Sequence, residues 1–291
     1  MPGQGEAVDD AINFQAVPQV AAGRARGGRA TQQDDLACLH DAAEQAYLLV
    51  LADGMGGEGA GELASEGVVN VARRLWEARS WRSQPGPLFL EALCQEAHAE
   101  LRRRGERVAR GAPHSTVVAL LVRGRQVAWA HVGDSRLYRF RGARLLGRTE
   151  DHSVAARRRR GAEQDDARLA ADPDQHKLLR GLGGPDAPVV EHGCAVLGAG
   201  ERFVLCSDGV WAQLSAAELG LLSARSDQEA ALREALRLAL TRGGQEGDNV
   251  ALIFARPGPQ GWPARWTHAV GQAVRKAAAL GRRRVRAGAA G

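Results

Sequence analysis

LLVLADGMGGEGAG, residues 48–61, joins an apolar run to a burst of glycines through a single aspartate. The run Leu48 to Ala52 has the length and composition of a buried strand. Beyond the glycines, Leu63, Val68, Val71 and Leu75 recur near helical spacing, which predicts a helix over 61–79. Gly54, Gly56 and Gly59 satisfy G-x-G-x-x-G, so strand, glycine loop and helix stand in the order of a dinucleotide-binding turn. Asp53 speaks against that use, because it sets a negative charge in front of a loop that would receive a pyrophosphate. The acidic residue expected about 20 positions on would be near Glu77, inside the helix. No Gly-Lys-Ser/Thr follows, which excludes a P-loop.

Outward from this stretch, residues 14–26 alternate loosely and predict one strand, and 36–40 and 47–52 predict two more. A second helix is expected over 88–104, with Leu90, Leu93, Ala97 and Leu101 on one face. The strand-like runs 116–122, 126–132, 136–140 and 144–148, separated by tight turns, read as an antiparallel meander. Residues 153–175 are polar and without pattern. Strands are expected at 189–195, 202–206 and 250–255. Helices are expected at 215–223 and 226–241, each opening on a serine cap with a glutamate three residues on, Glu218 and Glu229. Helices come in pairs and strands in a run, without regular alternation. That order predicts antiparallel sheet with helices packed outside it, not a doubly wound sheet.

Three apolar runs end alike. Residues 48–52 run into Asp53, 127–132 into Gly133-Asp134, and 203–206 into Ser207-Asp208-Gly209. Asp248-Asn249 is the mirror case, opening a strand. A single aspartate of this kind is a turn residue or a cap. Four at strand ends also permit a second reading. If the ends converge, the carboxylates repel and need a cation among them. A ligand set of oxygens alone suits Mg²⁺ or Mn²⁺. None of the eight histidines has zinc-site spacing. Spacing does not establish convergence, so the residues by themselves lead to turn aspartates or a carboxylate-lined two-metal hydrolase.

Composition narrows the setting. A chain of 291 residues holds one large domain or two small ones. Aromatic residues are only 4%, so the core must rest on Leu, Val and Ala. The net charge is +5, yet the eight basic residues from Arg256 to Arg286 have no acidic residue among them. The remainder is therefore net negative, and the basic balance describes a tail rather than a nucleic-acid-binding face. None of the four cysteines has C-x-x-C spacing, which reads as reduced, mostly buried thiols. The polar start of the chain lacks the pattern of a secretory signal, and no apolar run approaches the roughly 20 residues of a membrane span. The expected location is cytoplasmic.

Taken in order, eight segments resemble the PPM family, the metal-dependent 2C-type serine/threonine protein phosphatases. They are Arg29-Ala-Thr-Gln-Gln-Asp34, Asp53-Gly-Met-Gly-Gly57, Ser115-Thr116, Val132-Gly-Asp-Ser-Arg136, Thr149-Glu-Asp-His-Ser153, Leu178-Leu-Arg-Gly-Leu-Gly183, Ser207-Asp-Gly-Val-Trp211 and Gly247-Asp-Asn249. The resemblance implies an α+β fold, an antiparallel β-sandwich flanked by helices in α-β-β-α layers, with metal ions at one end. It implies that residues 12–256 form the catalytic domain. Residues 257–291 are then a basic tail, one short amphipathic helix through Trp266, Val270, Val274 and Ala277 or a disordered appendage. Carried over by position, Asp53 bridges two Mn²⁺ or Mg²⁺ ions, the Gly54 carbonyl ligates one, and Asp208 and Asp248 ligate the other. Asp134 helps hold a weaker third ion. Asp34 orients a water, and Arg29 holds the phosphate. The implied chemistry is hydrolysis of phosphoserine and phosphothreonine in proteins by a water bridging two metal ions, without a phosphoenzyme.

Four departures from the family pattern stand out. Gln32 replaces an asparagine, and His114-Ser115-Thr116 replaces Gly-Thr-Thr. Met55 stands where animal members carry a histidine proposed as general acid, as in the bacterial branch. Residues 154–177 fall on a variable flap. Asp172 to Lys177 looks like a bacterial form paired with a serine/threonine kinase in a secretion or signalling locus. Arg180 is read as a structural tether of the flap, and His131 and His152 as hydrogen-bonded scaffold. The expected partners are a phosphorylated protein and its kinase, with no nucleic acid; the chain is expected to act as a monomer. The tail, through Arg282 to Arg286, would meet an acidic partner or an anionic membrane surface. The competing functions are a phosphoprotein-binding pseudophosphatase and a small-molecule phosphate hydrolase.

Overall fold

The structure of the chain is a computed structural model that describes residues 12–56, 59–106, 111–158 and 166–258. The expected tail helix, Arg282 to Arg286, Arg159, Arg160 and Gly57 lie outside the described residues. One antiparallel sheet has the order β10 (Glu191–Val196), β7 (Gln126–Val132), β6 (Val117–Arg123), β4 (Ala46–Met55) and β3 (Asp34–Asp41). The short β5 (His114–Ser115) pairs with the end of β4. The second sheet has the order β1 (Asn13–Val17), β2 (Val20–Ala25), β12 (Val250–Ala255), β11 (Glu201–Cys206), β8 (Arg136–Arg141) and β9 (Arg144–Arg148). Helices α1 (Ala60–Glu77) and α2 (Gly86–Gly105) cover the first sheet. Short helices α3 (Val154–Arg158) and α4 (Asp166–Ala170) follow β9, and a single turn, α5 (Asp208–Trp211), follows β11. Helices α6 (Ala216–Ser223) and α7 (Gln228–Gly243) cover the second sheet.

The continuous apolar runs have their cause in this layering. A strand covered on both faces cannot alternate apolar with polar. In β4, Leu49 and Leu51 face the other sheet while Leu48, Val50 and Ala52 face α1 and α2. In β12, Ala251 and Ile253 face between the sheets while Val250, Leu252 and Phe254 face the helices. The layers are therefore α-β-β-α, as the resemblance implies. No helix among the described residues is long and apolar enough to cross a membrane.

Three expectations need correction. Residues 14–26 are not one strand but the hairpin β1–β2, turned at Gln19 with φ 65°. The meander over 116–148 is split between the sheets: β6 and β7 pair in one, β8 and β9 in the other. Gly133 makes that crossing at φ 110°, and a Cβ there would come within 2.6 Å of Thr116 Cγ2. The cap of α7 is Asp227 rather than Ser226, its carboxylate accepting the Ala230 N–H at 3.0 Å. Serine and aspartate both cap well, so adjacent candidates cannot be separated by residue type. The Ser215–Glu218 capping box of α6 is as expected.

Beside the crossing lies a fully buried ion pair. The Arg136 Nε and Nη2 donate to the two Asp151 carboxylate oxygens at 2.8 and 2.7 Å. The guanidinium lies over the Trp211 ring, 3.6 Å from its centroid, and Trp211 Nε1–H donates to the Asp134 carbonyl at 2.9 Å. This stack supports the Asp134 turn from beneath. Asp151→Ala would strand a buried guanidinium and is expected to lower stability by about 3–5 kcal/mol. The urea midpoint measures it, and a loss under about 1 kcal/mol, as for an exposed pair, would contradict the role given to the pair.

Candidate active site

The aspartate-bearing strand ends meet at one end of the sandwich. Asp34 at the start of β3 lies directly opposite Asp53 in β4. Asp134 follows β7, Asp208 follows β11, and Asp248 precedes β12, the partner of β11. Convergence shows in the electrostatics. The Asp53 carboxyl is raised well above the usual carboxylate range, first by burial, then by the charges of Asp34, Asp208, Asp134 and Asp248. Burial also pushes Asp34 up to about 8; a Ser207 hydrogen bond and Arg24 oppose the rise, while Asp208 and Asp248 add to it. Asp134 is raised by burial, then by Asp208 and Asp151.

Backbone hydrogen bonds keep these groups in place. The Asp53 carbonyl accepts from Thr116 N–H at 2.8 Å and from the Ser115 hydroxyl at 3.0 Å, and Asp53 N–H donates to Thr116 Oγ1 at 3.1 Å. Gly54 N–H donates to the Gln33 carbonyl at 2.9 Å. A Cβ at Gly54 would lie 1.9 Å from the Gly61 carbonyl oxygen, so the first turn of α1 can close on this strand only over glycine. The Ser207 hydroxyl donates to Asp34 Oδ2 at 2.7 Å and accepts the Ala251 N–H at 3.0 Å, joining the two sheets across the site.

Asn249 anchors the loop that carries Arg29. Its Oδ1 accepts the Gln33 N–H at 2.7 Å, and its Nδ2 donates to the carbonyls of Arg26 and Thr31 at 2.7 and 3.0 Å. Gln32 Oε1 accepts the Asp34 N–H at 2.9 Å, so glutamine in the asparagine position still closes the local turn. Arg29 Nη2 lies 2.6 Å from Asp248 Oδ2. Together with His176, Asp208 and Gly209 these residues line a cavity of 240 Å³.

Sequence reasoning gave no role to His176, Ser207 or the Asn249 side chain. His176 Nδ1 is 3.5 Å from Asp208 Oδ2, which raises its pKa. Only a histidine in a patternless segment marked it. Ser207 and Asn249 stood inside quoted motifs, but their partners lie 173 and 216 positions away, at Asp34 and Gln33.

The donor set of Asp53, Asp134, Asp208, Asp248 and the Gly54 carbonyl is all oxygen. It fits a hard divalent cation, and mutual repulsion among the carboxylates favours one. A second cluster has its ligand atoms within 4.8 Å of one another: His131, His152 and Glu191. Its hydrogen bonds make it scaffold. His152 Nδ1 accepts the Gly133 N–H at 3.1 Å, which leaves Nε2 to carry the proton toward Glu191 Oε2 at 3.1 Å. The Arg180 guanidinium, 3.2 Å from that Nε2, adds a positive charge that disfavours a cation. Burial, with His131 beside it, pushes His152 down to about 4, so the ring is neutral at pH 7. Backbone His152 N–H also donates to the Gly133 carbonyl at 3.0 Å, so this cluster holds the Asp134 turn from the flap side.

Residues 23–242 match the family model described as protein phosphatase 2C. Protein phosphatase PhpP of Streptococcus pneumoniae is 28% identical over 216 residues, 71% of this chain and 85% of that protein. The catalytic domain of the serine/threonine protein phosphatase PstP in complex with two manganese ions is 26% identical, with a TM-score of 0.66 over 82% of this chain and 98% of that one. PppA, a key regulatory component of T6SS in Pseudomonas aeruginosa, is 28% identical, with a TM-score of 0.61 over 81% and 96%.

The raised carboxyl of Asp34 has a measurable consequence. Between pH 4 and 8 the unfolded chain releases this proton while the folded, metal-free chain keeps it, so stability falls as pH rises. In chelator-treated protein, Asp34→Asn should gain on the wild type as pH goes from 4 to 8, by up to about 1.4 kcal/mol per pH unit. Urea midpoints across that window test it, and a pH-independent difference would contradict the raised carboxyl.

Proposed function

The chain belongs to the protein phosphatase 2C family, and on that premise we propose that residues 12–256 hydrolyse phosphoserine and phosphothreonine in proteins directly, with two divalent metal ions and no phosphoenzyme. The observation that carries this reading is the convergence of Asp34, Asp53, Asp134, Asp208 and Asp248 beneath Arg29. Asp53 would hold both ions, the Gly54 carbonyl one, Asp208 and Asp248 the other, and Asp134 a weaker third. The relative PstP with two manganese ions supports this set. Bound there, the ions supply Lewis acidity toward a phosphoryl oxygen and toward the attacking water.

The chain's own residues do the rest. Arg29, half-exposed and paired with Asp248 at the cavity wall, offers a fork of donors to the phosphate oxygens. Asp34, fixed by Ser207, orients the water. Met55 has no proton to give, so the proton for the departing oxygen comes from water. The phosphoprotein is supplied by a serine/threonine kinase, and the enzyme acts as a monomer in the cytoplasm. The regulatory description of PppA supports a place in signalling or secretion control.

Purified full-length protein should hydrolyse a phosphoserine peptide with Mn²⁺ and stop on chelation. Asp208→Ala should lower kcat by on the order of 10³. No wild-type activity above the Asp208→Ala control would end this reading. Arg29→Ala should lower kcat/KM by on the order of 10², and Arg29→Lys should not restore it; full activity in either variant would remove Arg29 from phosphate binding.

A further inference from the structure

A second cavity, of 650 Å³, opens beside the carboxylates. It begins at Met55 and Gly56, and Met55 stands about 7 Å along β4 from Asp53, given about 3.4 Å per residue. Its volume falls within the range of about 300–1,000 Å³ typical of ligand sites. The 240 Å³ cavity at Arg29 and Asp248 is smaller and bears the charges expected to meet a phosphate.

Both walls are pre-formed. Residues 178–182 are pinned on one side by the pair of backbone hydrogen bonds between Ser115 and Leu182, and on the other by Leu179 N–H to the His152 carbonyl at 2.7 Å. The other wall, residues 184–189, contains Pro185 and Pro188, and α2 holds it through Arg102 Nη1, which donates to the Pro185 carbonyl at 3.1 Å. Two large aliphatic side chains line this cavity while exposed: Leu179 at 41% and Val189 at 59%. Arg180 lies in the lining and forms no ion pair with a carboxylate among the described residues. Asp186, on the second wall, is the lining's carboxylate. A groove with held walls, exposed aliphatic groups and a guanidinium in its lining, beside the catalytic end, suits extended peptide rather than a compact phosphate.

We propose that this groove binds the substrate segment flanking the phosphorylated residue. It selects a large aliphatic side chain against Leu179 and Val189 and a carboxylate on Arg180, both within about four residues of the phosphoserine or phosphothreonine at about 3.4 Å per extended residue. The proposal rests on the phosphatase reading and names the substrate class of that same site.

The test compares wild-type protein, in Mn²⁺, on p-nitrophenyl phosphate and two phosphoserine peptides. One peptide carries Leu and Glu in the flanking positions, the other Gly and Lys. The wild type should favour the first peptide about tenfold in kcat/KM, mainly through KM. Leu179→Ser and Val189→Ser should each lower the ratio of the first peptide's kcat/KM to that of p-nitrophenyl phosphate by several-fold. Arg180→Gln should reduce the advantage of the first peptide over the second by several-fold. Equal kcat/KM for the two peptides, or unchanged ratios in the variants, overturns the groove and leaves the phosphatase reading standing. A wild type inert on all three substrates overturns both.

Discussion

Carboxylates that repel one another at the end of a β-sandwich are the constraint on which the remaining structure turns. Burial and mutual charge push Asp34 and Asp53 well above the usual carboxylate range. A chain free to relax would move them apart. Here the paired strands β3 and β4 place Asp34 opposite Asp53 by register. Ser207 bonds Asp34 to the second sheet, Asn249 fixes the Arg29 loop, and Trp211 holds the Asp134 carbonyl. Each fastening acts through backbone or through an uncharged group. Only Asp34 gives a carboxylate oxygen to one of these ties, so they do not draw on the carboxylates of Asp53 and Asp134.

The sandwich makes this possible because it separates support from chemistry. Both faces of each sheet are occupied, one by the other sheet and one by helices. The interior is close-packed and resists displacement of the strand ends. The ends, where backbone pairing stops, are the places where polar groups can point at one spot without crossing the core. Glycine recurs there for a physical reason: at Gly54 and Gly209 a Cβ would fall 1.9 and 2.1 Å from a neighbouring carbonyl oxygen. The groove beside the site has the same logic, one wall pinned by backbone hydrogen bonds and the other by Arg102, with Leu179 and Val189 left exposed.

Much of this was legible in the sequence. Strands 126–132 and 250–255 have the bounds read from apolar runs, because a covered strand has little polar interruption, whereas the exposed strand 144–148 is bounded by its turns. Asp53, Asp134, Asp208 and Asp248 are marked by position at strand ends, although their convergence, and any role for Asp34, became an expectation only through the family resemblance. What was hidden is tertiary. The turn at Gly133 looks like a hairpin locally, yet it crosses between sheets, and only pairing partners decide which. His176 reaches Asp208 from a segment with no periodicity. The Arg136–Asp151 pair joins two segments whose burial could not be read from charged residues, which are rarely found inside.

The central claim is that these carboxylates are a divalent-metal site. Calorimetric titration of the full chain with Mn²⁺, repeated in two buffers of different ionisation enthalpy, tests it most directly. Two ions should bind per chain, with protons released as Asp34 and Asp53 ionise, and Asp53→Asn should remove the tight binding. An absence of binding, or binding without proton release that Asp53→Asn leaves intact, would contradict the account.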